Sequence, residues 1–278
     1  MKNKLLRNGV EMPEVGFGTW KAGETDGFAV LSEAIRAGYR HIDTASAYHT
    51  EEAVGRAVAA SGVDRSEFFI TTKAWKDQLG YDRTLAAFDA SCQALGMDYL
   101  DLYLIHWPRP DAACEEWKEL DRGSWRAMEE LYKAGRIRAI GVCNFYPVRL
   151  VDLCLNVEIP PMVNQVELHP FFQQTKALDT MREFSVQPEA WGPLAEGNHG
   201  IFTHKLLTDI GRKYGKTAAQ TALRWNTQRG VVIIPKSTHP ERMSENLDIW
   251  DFTLADEDMS AISALDLGHS EIIDHSTA

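Results

Sequence analysis

A closed barrel of eight parallel strands alternating with helices is the fold that the sequence predicts, on three observations. Short apolar or β-branched runs recur eight times, stretches of helical periodicity lie between them, and no linker or shift of composition interrupts the series. Alternation of this kind implies parallel strands joined by helical crossovers, and eight uninterrupted units suit a (β/α)8 TIM barrel better than an open sheet. A single domain over 1–278 follows, because barrels routinely run past the usual length of one domain.

The eight runs are Val15–Thr19, Arg40–Asp43, Phe68–Thr72, Leu100–Ile105, Ile137–Val142, Met162–Val166, Val186–Ala190 and Val231–Ile234. Between them the 3.6-residue pattern predicts helices such as Gly27–Ala37, Glu51–Ala60, Thr84–Leu95, Ser124–Lys133 and Thr217–Gln228. Several are closed by a glycine: Gly38, Gly96, Gly135 and Gly230. Ahead of the first strand, the stretch from Leu5 to Met12 carries an Asn8-Gly9 turn between short runs, which predicts a β-hairpin capping the barrel's bottom. A doubly wound nucleotide fold is the rival, but Gly16-Phe17-Gly18-Thr19-Trp20-Lys21 lacks the third glycine of the dinucleotide fingerprint.

Composition narrows the partners. The formal charge of −11 opposes binding to nucleic acid or anionic membranes, and no basic run exceeds two residues. No run of about 18 apolar residues offers a membrane span, and the N-terminal Met1-Lys2-Asn3-Lys4 stretch lacks the apolar segment of an export signal. Cys92, Cys114, Cys143 and Cys154 form no C-x-x-C pair and have no histidine at zinc-ligand spacing, so reduced thiols in a cytoplasmic protein are expected, with no metal.

In a parallel barrel, chemistry sits where strands end at the C-terminal face. Asp43 ends R-H-I-D, Lys73 ends F-F-I-T-T-K, His106 ends L-D-L-Y-L-I-H, and Tyr48 lies five residues past Asp43. Each alone has a structural explanation, as a cap, a solvated cation, a bonded core histidine or a packed ring. Together they supply what proton transfer to a carbonyl oxygen needs. The Lys73 ammonium favours the Tyr48 phenolate, Asp43 keeps that ammonium charged and in place, and a neutral His106 donates to the substrate oxygen.

The same residues carry a family resemblance. The motifs G-F-G-T-W (16–20), Y-R-H-I-D-T-A-x-x-Y (39–48), I-T-T-K (70–73), L-Y-L-I-H-W-P (102–108), G-V-C-N-F (141–145), N-Q-V-E-L-H-P (164–170), A-W-G-P-L (190–194) and I-P-K-S (234–237) span nearly the whole chain. In these the chain resembles the aldo-keto reductases, and closely the bacterial members related to 2,5-diketo-D-gluconate reductases. The resemblance implies a reductase of aldehydes and small ketones that binds NADPH first, passes hydride to the carbonyl carbon and protonates the oxygen from Tyr48. It places the four catalytic positions on Asp43, Tyr48, Lys73 and His106.

By the same motifs the resemblance implies that Asn144 and Gln165 hold the nicotinamide carboxamide and that Trp191 stacks on its ring, where many relatives have tyrosine. Cys143 stands where many have serine. Lys236, Ser237 and Arg242 reach the 2′-phosphate, which favours NADP over NAD, and Glu245 and Asn246 contact adenine. Thr19, Asp43, Gly192, Leu194 and Gly197 complete the cofactor set. The acidic Glu196 near the pyrophosphate is expected to face solvent or a cationic loop.

Trp20, Trp75 and Trp107, each just past a strand end, predict an aromatic wall that completes a substrate site with Tyr48 and His106. The short polar tail, Gly268–Ala278, predicts an open pocket of broad specificity, with His269 and His275 solvated. Aromatic aldehydes, dicarbonyls and keto-sugars all fit. Two other readings are open: an NADPH-binding regulatory barrel with little turnover, and a polyol or steroid dehydrogenase working in the oxidative direction. A monomer is expected from the resemblance.

Overall fold

The computed structural model describes residues 2–24, 26–111, 113–270 and 272–273 of the chain. Its first element is the antiparallel hairpin of β1 (Asn3–Leu5) and β2 (Glu11–Pro13). Leu6 N donates to Val10 O and Gly9 N to Leu6 O, so the loop has three residues, and only Gly9 of the Asn-Gly pair takes a positive φ, +84°. Asn8 turns outward, and its Nδ2 donates to Arg138 O at 2.9 Å. Arg7 reaches Phe184 O. Arg138 is the second residue of one barrel strand and Phe184 precedes another, so the hairpin does close the N-terminal end of the barrel.

Eight parallel strands follow: β3 (Phe17–Gly18), β4 (His41–Asp43), β5 (Phe69–Ala74), β6 (Leu100–Ile105), β7 (Ile137–Cys143), β8 (Val163–Glu167), β9 (Gln187–Trp191) and β10 (Val232–Ile233). Each pairs with the next in sequence, and a parallel bridge between Val15 and Ile233 joins the last to the first. The eight sequence runs and the eight strands correspond one to one. All six residues of β5 and all six of β6 are buried, as strands covered on both faces require.

Helices α1 (Gly27–Ala37), α2 (Glu51–Ala60), α3 (Tyr81–Leu95), α4 (Trp117–Lys133), α5 (Pro147–Asn156) and α6 (Thr175–Glu183) follow β3 to β8 in turn. Two helices, α7 (Lys205–Lys213) and α8 (Ala218–Gln228), lie between β9 and β10; α9 (Pro240–Leu247) and α10 (Asp256–Ser263) complete the ring. In α1 the cause is plain. Asp26 accepts from Ala29 N at its start, Val30, Leu31, Ala34 and Ile35 form the buried stripe, and Gly38 at φ +112° ends it. Tyr39 N then bonds Ala34 O, closing a Schellman turn.

The helix α4 starts seven residues earlier than the periodicity predicts. Gly123, just ahead of the predicted start at Ser124, lies inside the helix and permits close packing: a Cβ there would sit 3.0 Å from Tyr81 N at the start of α3. Gly55 plays the same part between α2 and α3, where an added Cβ would lie 2.2 Å from Leu95 O. Gly55→Ala is therefore expected to lower stability by about 1–3 kcal/mol, since a backbone oxygen cannot yield as a side chain does and the clash exceeds the helix-propensity gain of about 1 kcal/mol. A thermal melt checks this; an unchanged Tm would mean that the two helices separate without cost.

Among the described residues no helix is long and apolar enough to cross a membrane, and no cluster of metal-ligating side chains occurs. All four cysteines are free thiols, three of them buried.

Candidate active site

The C-terminal ends of β4, β5 and β6 bring the four predicted residues together. Asp43 is the last residue of β4, Lys73 the fifth of β5, and His106 follows β6 directly. Tyr48 ends a single turn, Ser46–Tyr48, pinned to β5 by the Ser46 hydroxyl, which lies 3.1 Å from Lys73 O and 2.9 Å from Gln78 Oε1. That turn sets the ring against the site. Tyr48 Oη is 3.2 Å from His106 Nε2, and Lys73 Nζ lies 5.0 Å from the centre of the Tyr48 ring.

Lys73 is wholly buried. Its ammonium donates to Asp43 Oδ1 at 2.6 Å and to Thr44 O at 3.0 Å, while Gln165 Nε2 donates to Asp43 Oδ2 at 2.8 Å. Burial works against the ammonium, but Asp43 carries its pKa above the ordinary lysine value. Burial also lifts Asp43 above the usual carboxylate range, against Lys73 and Gln165. The two tendencies oppose each other, and the short contact with its flanking hydrogen bonds decides for the ion pair.

For Tyr48 the expected direction is reversed. Lys73 does pull the phenol's pKa down, but burial outweighs it and the Asp43 charge adds to the rise, so the pKa stands above its ordinary value. Tyr48 is thus held as the O–H form, the form that donates. His106 is driven well below the usual imidazole range by burial and by the charges of Lys73 and Lys76, which keeps it neutral.

Two of the three predicted tryptophans join this centre. The Trp20 ring lies 5.0 Å from that of Tyr48, and Trp75 meets His106 edge-to-face at 4.8 Å. Trp20, Tyr48, His106 and Trp75 therefore form one continuous aromatic line, with Trp20 half exposed. Trp107 stands beside it, 4.8 Å from Lys76 Nζ.

The expected cofactor residues line the ends of β7 to β10. Asn144 adopts φ +62° directly after β7; its Nδ2 donates to His106 O and its Oδ1 accepts from Trp191 Nε1 at 2.9 Å. Gly192 and Gly197 take φ +59° and +87° in the loop after β9, which also holds Leu194. Glu196 in that loop meets Lys21 at 3.2 Å, so its partner is a cationic loop residue from beyond β3. Lys236 and Ser237 follow β10, and Arg242, Glu245 and Asn246 share one face of α9 at i, i+3 and i+4. Lys236 and Arg242 are exposed with no ion-pair partner among the described residues. Glu245 accepts from Thr217 Oγ1, and Asn246 is buried.

Thr19 directly follows β3, and its backbone N donates to Asp43 O at 2.9 Å, but its hydroxyl turns inward. It is wholly buried, 2.9 Å from Thr50 Oγ1, which is in turn 2.8 Å from Thr44 Oγ1. A hydroxyl one residue beyond the end of β3 finds inward partners first. His269 is exposed, 3.0 Å from Leu267 O, and His275 lies outside the described residues.

Two residues of the site escaped sequence reasoning. Glu189 of β9 and His41 of β4 are wholly buried, and Gln165 Nε2 donates to Glu189 Oε2 at 2.9 Å. Burial and the Asp43 charge push Glu189 up to about 8, against Gln165 and Lys73. The available signal was a glutamate inside the run V-Q-P-E-A-W, two residues from Trp191 and so on the same face of the strand.

Comparison with known proteins adds three kinds of match. The model of the "Aldo/keto reductase family" matches residues 14–267. The chain is 48% identical over 261 residues to a glyoxal reductase of Bacillus subtilis, covering 94% of this chain and 91% of that protein. It is 43% identical over 263 residues to the methylglyoxal reductase DkgA of Escherichia coli, covering 95% and 93%. Among solved structures, a Bombyx mori aldo-keto reductase in complex with NADP superposes with a TM-score of 0.88 at 33% identity, covering 98% of this chain and 95% of that one. A family match over most of the barrel, relatives similar along nearly their whole length and a shared fold lead to one conclusion: the chain belongs to the aldo/keto reductase family.

Proposed function

We propose that Asp43, Tyr48, Lys73 and His106 carry the reduction of aldehydes and small ketones at the mouth of a single barrel domain, 1–278. As a member of its family the chain is an NADP-dependent oxidoreductase acting on carbonyl groups. The observation that supports these four residues best is the 3.2 Å contact between Tyr48 Oη and a neutral His106 Nε2, with the buried Lys73–Asp43 pair alongside.

The residues present suit the cofactor chemically. In a chain of net charge −11, Lys236 and Ser237 after β10 and Arg242 on α9 supply two exposed cations without ion-pair partners among the described residues and one hydroxyl. That donor set fits a dianionic 2′-phosphate. Glu245 and Asn246 on the same face of α9 are proposed to meet adenine. Gly192, Leu194 and Gly197 would hold the pyrophosphate, Asn144 and Gln165 the carboxamide, and Trp191 would stack on the ring.

When bound, NADPH supplies a hydride for the carbonyl carbon. The protein's own work is done at the oxygen. His106, neutral and buried, orients the carbonyl through Nε2, and the Tyr48 hydroxyl delivers the proton. Lys73 then stabilises the phenolate left behind, and Asp43 keeps Lys73 charged in a site largely closed to water. Trp20, Trp75 and Trp107 offer apolar walls to the carbonyl's substituents. Small dicarbonyls belong among the substrates, in keeping with the names of the two bacterial relatives. Three buried free thiols and the acidic charge support a cytoplasmic protein that meets neither nucleic acid nor membranes; a monomer rests on the resemblance alone.

Lys236→Ala separates the cofactors. A hydrogen-bonded charge is worth about 1.5–3 kcal/mol, or roughly ten- to a hundredfold in affinity. NADPH binding is expected to weaken by that factor while NADH, which lacks the phosphate, is little affected. Titration of both against the variant is the check, and equal losses would remove Lys236 from the phosphate site.

A further inference from the structure

Glu189 lies in the same enclosed space as the Asp43–Lys73 pair, yet the proton transfer described above makes no use of it. Its two oxygens face different partners. Oε2 accepts from Gln165 Nε2 at 2.9 Å, and the same nitrogen donates to Asp43 at 2.8 Å, so both amide hydrogens of Gln165 are engaged. Oε1 has no hydrogen-bond partner of good geometry among the described residues, but it faces His41 Nε2 at 3.5 Å.

The ring of His41 decides where a hydrogen must lie. Its Nδ1 is 3.3 Å from Pro13 O, an atom that can only accept, so Nδ1 carries the ring hydrogen. Burial keeps the imidazole neutral, down at about 3. Nε2 is therefore a bare acceptor, approached at 3.3 Å also by the Thr71 hydroxyl. A carboxylate oxygen opposite it would set lone pair against lone pair in a wholly buried space. A hydrogen on Oε1 turns that repulsion into an O–H···N contact.

We propose that Glu189 is a positioning residue: a neutral carboxylic acid that donates to His41 and accepts from Gln165, anchoring Gln165 with Nε2 toward Asp43 and Oε1, which the Cys143 thiol meets at 3.7 Å, turned to the cofactor's carboxamide. The last clause rests on the reading above that Gln165 meets the cofactor. Asp43 alone already disfavours a flipped amide; Glu189 satisfies the second amide hydrogen and so fixes the side chain's torsion as well.

The surroundings explain why the acid stays protonated. Facing it are Asp43 and His41 from β4, Lys73 from β5, Cys143 from β7 and Gln165 from β8. The one cation in that set, Lys73, is paired with Asp43, so a second anion would have no counter-ion of its own. Loss of the Glu189 proton, above about 8, would place a negative charge near the nicotinamide and favour the positively charged oxidised ring over the neutral reduced one.

Four preparations test this: the wild type, Glu189→Gln, Glu189→Ala and Gln165→Ala. Glu189→Gln copies the neutral acid, since an amide also donates to His41 and accepts from Gln165. It is expected to keep wild-type NADPH affinity near neutrality and to lose an infrared C=O band of a protonated carboxyl that the wild type shows. Glu189→Ala is expected to weaken NADPH about tenfold, the equivalent of one hydrogen bond, with kcat at saturating cofactor little changed. In the wild type the ratio of NADP+ to NADPH dissociation constants should fall as pH passes about 8, and in Glu189→Gln it should stay flat.

Glu189→Gln as weak as Glu189→Ala, or no protonated-carboxyl band lost, overturns the neutral acid. Wild-type affinity in Glu189→Ala overturns the positioning role, and a pH-independent ratio in the wild type overturns the effect of ionisation. If Gln165→Ala binds NADPH as the wild type does, the cofactor reading itself fails instead. Should Glu189→Ala not fold, the infrared band and the Glu189→Gln titration decide the matter.

Discussion

Replacing Tyr48 by phenylalanine is expected to lower turnover by about 10²–10⁴-fold, the usual worth of a positioned general acid, while NADPH binding is unchanged. The two effects separate because the ring and the hydroxyl do different work. The ring packs 5.0 Å from Trp20 and 5.4 Å from His106, contacts that phenylalanine keeps. The hydroxyl alone reaches His106 Nε2, and it alone carries a transferable proton. Single-turnover kinetics with a reactive aldehyde, alongside a fluorescence titration of NADPH, measures both. Turnover within tenfold of wild type would show that another group or solvent supplies the proton. Loss of cofactor affinity would show that the hydroxyl helps to build the nucleotide site.

Lys73→Met should cost both chemistry and stability. Removing one partner of a buried ion pair leaves the other uncompensated, at about 3–5 kcal/mol. Asp43, with Gln165 still donating to it, would then be a buried carboxylate lacking its cation. Its pKa in the folded variant lies above the unfolded value, so the folded state holds a proton that the unfolded chain has released. The deficit therefore grows as pH rises from the unfolded carboxylate pKa, about 3.9, and shrinks again in acid. Adding Asp43→Asn removes the stranded charge and should recover most of the stability without restoring turnover. Recovery of turnover in the double variant would mean that the pair serves the fold and not the reaction.

The legible part of this protein was whatever repeats or ends something. Strand runs such as L-D-L-Y-L-I are apolar because β6 is covered on both faces, and the polar residue ending each run is visible against that background. Asp43, Lys73 and His106 were found in this way, and Tyr48 by its distance from Asp43. Helix starts were less legible. The helix predicted from Ser124 in fact runs through Gly123, and nothing local shows that α3 will press against that glycine. The direction of the Thr19 hydroxyl was not legible for a related reason: its position next to a strand end is local, but Thr50, which draws the hydroxyl inward, is 31 residues away. Glu189 and His41 were missed because their meaning is pairwise. Each sits inside a short predicted strand with no partner in its own segment, and only closure of the barrel brings the two together with Gln165. The direction of the Tyr48 pKa went the same way: the cation beside it was readable, but the depth of burial that outweighs it was not.

The residues at the barrel's mouth serve one reaction, the reduction of carbonyl compounds with NADPH. Oxidation of NADPH followed by absorbance, with glyoxal, methylglyoxal, aromatic aldehydes and keto-sugars each as substrate and NADH in parallel, tests it most directly. Carbonyl-dependent oxidation is expected to be faster with NADPH than with NADH and to fall by about 10²–10⁴-fold in Tyr48→Phe. Tight NADPH binding with no turnover on any of these substrates would contradict it and favour a cofactor-binding regulatory barrel, and a strong preference for alcohol oxidation at neutral pH would reverse the assigned direction.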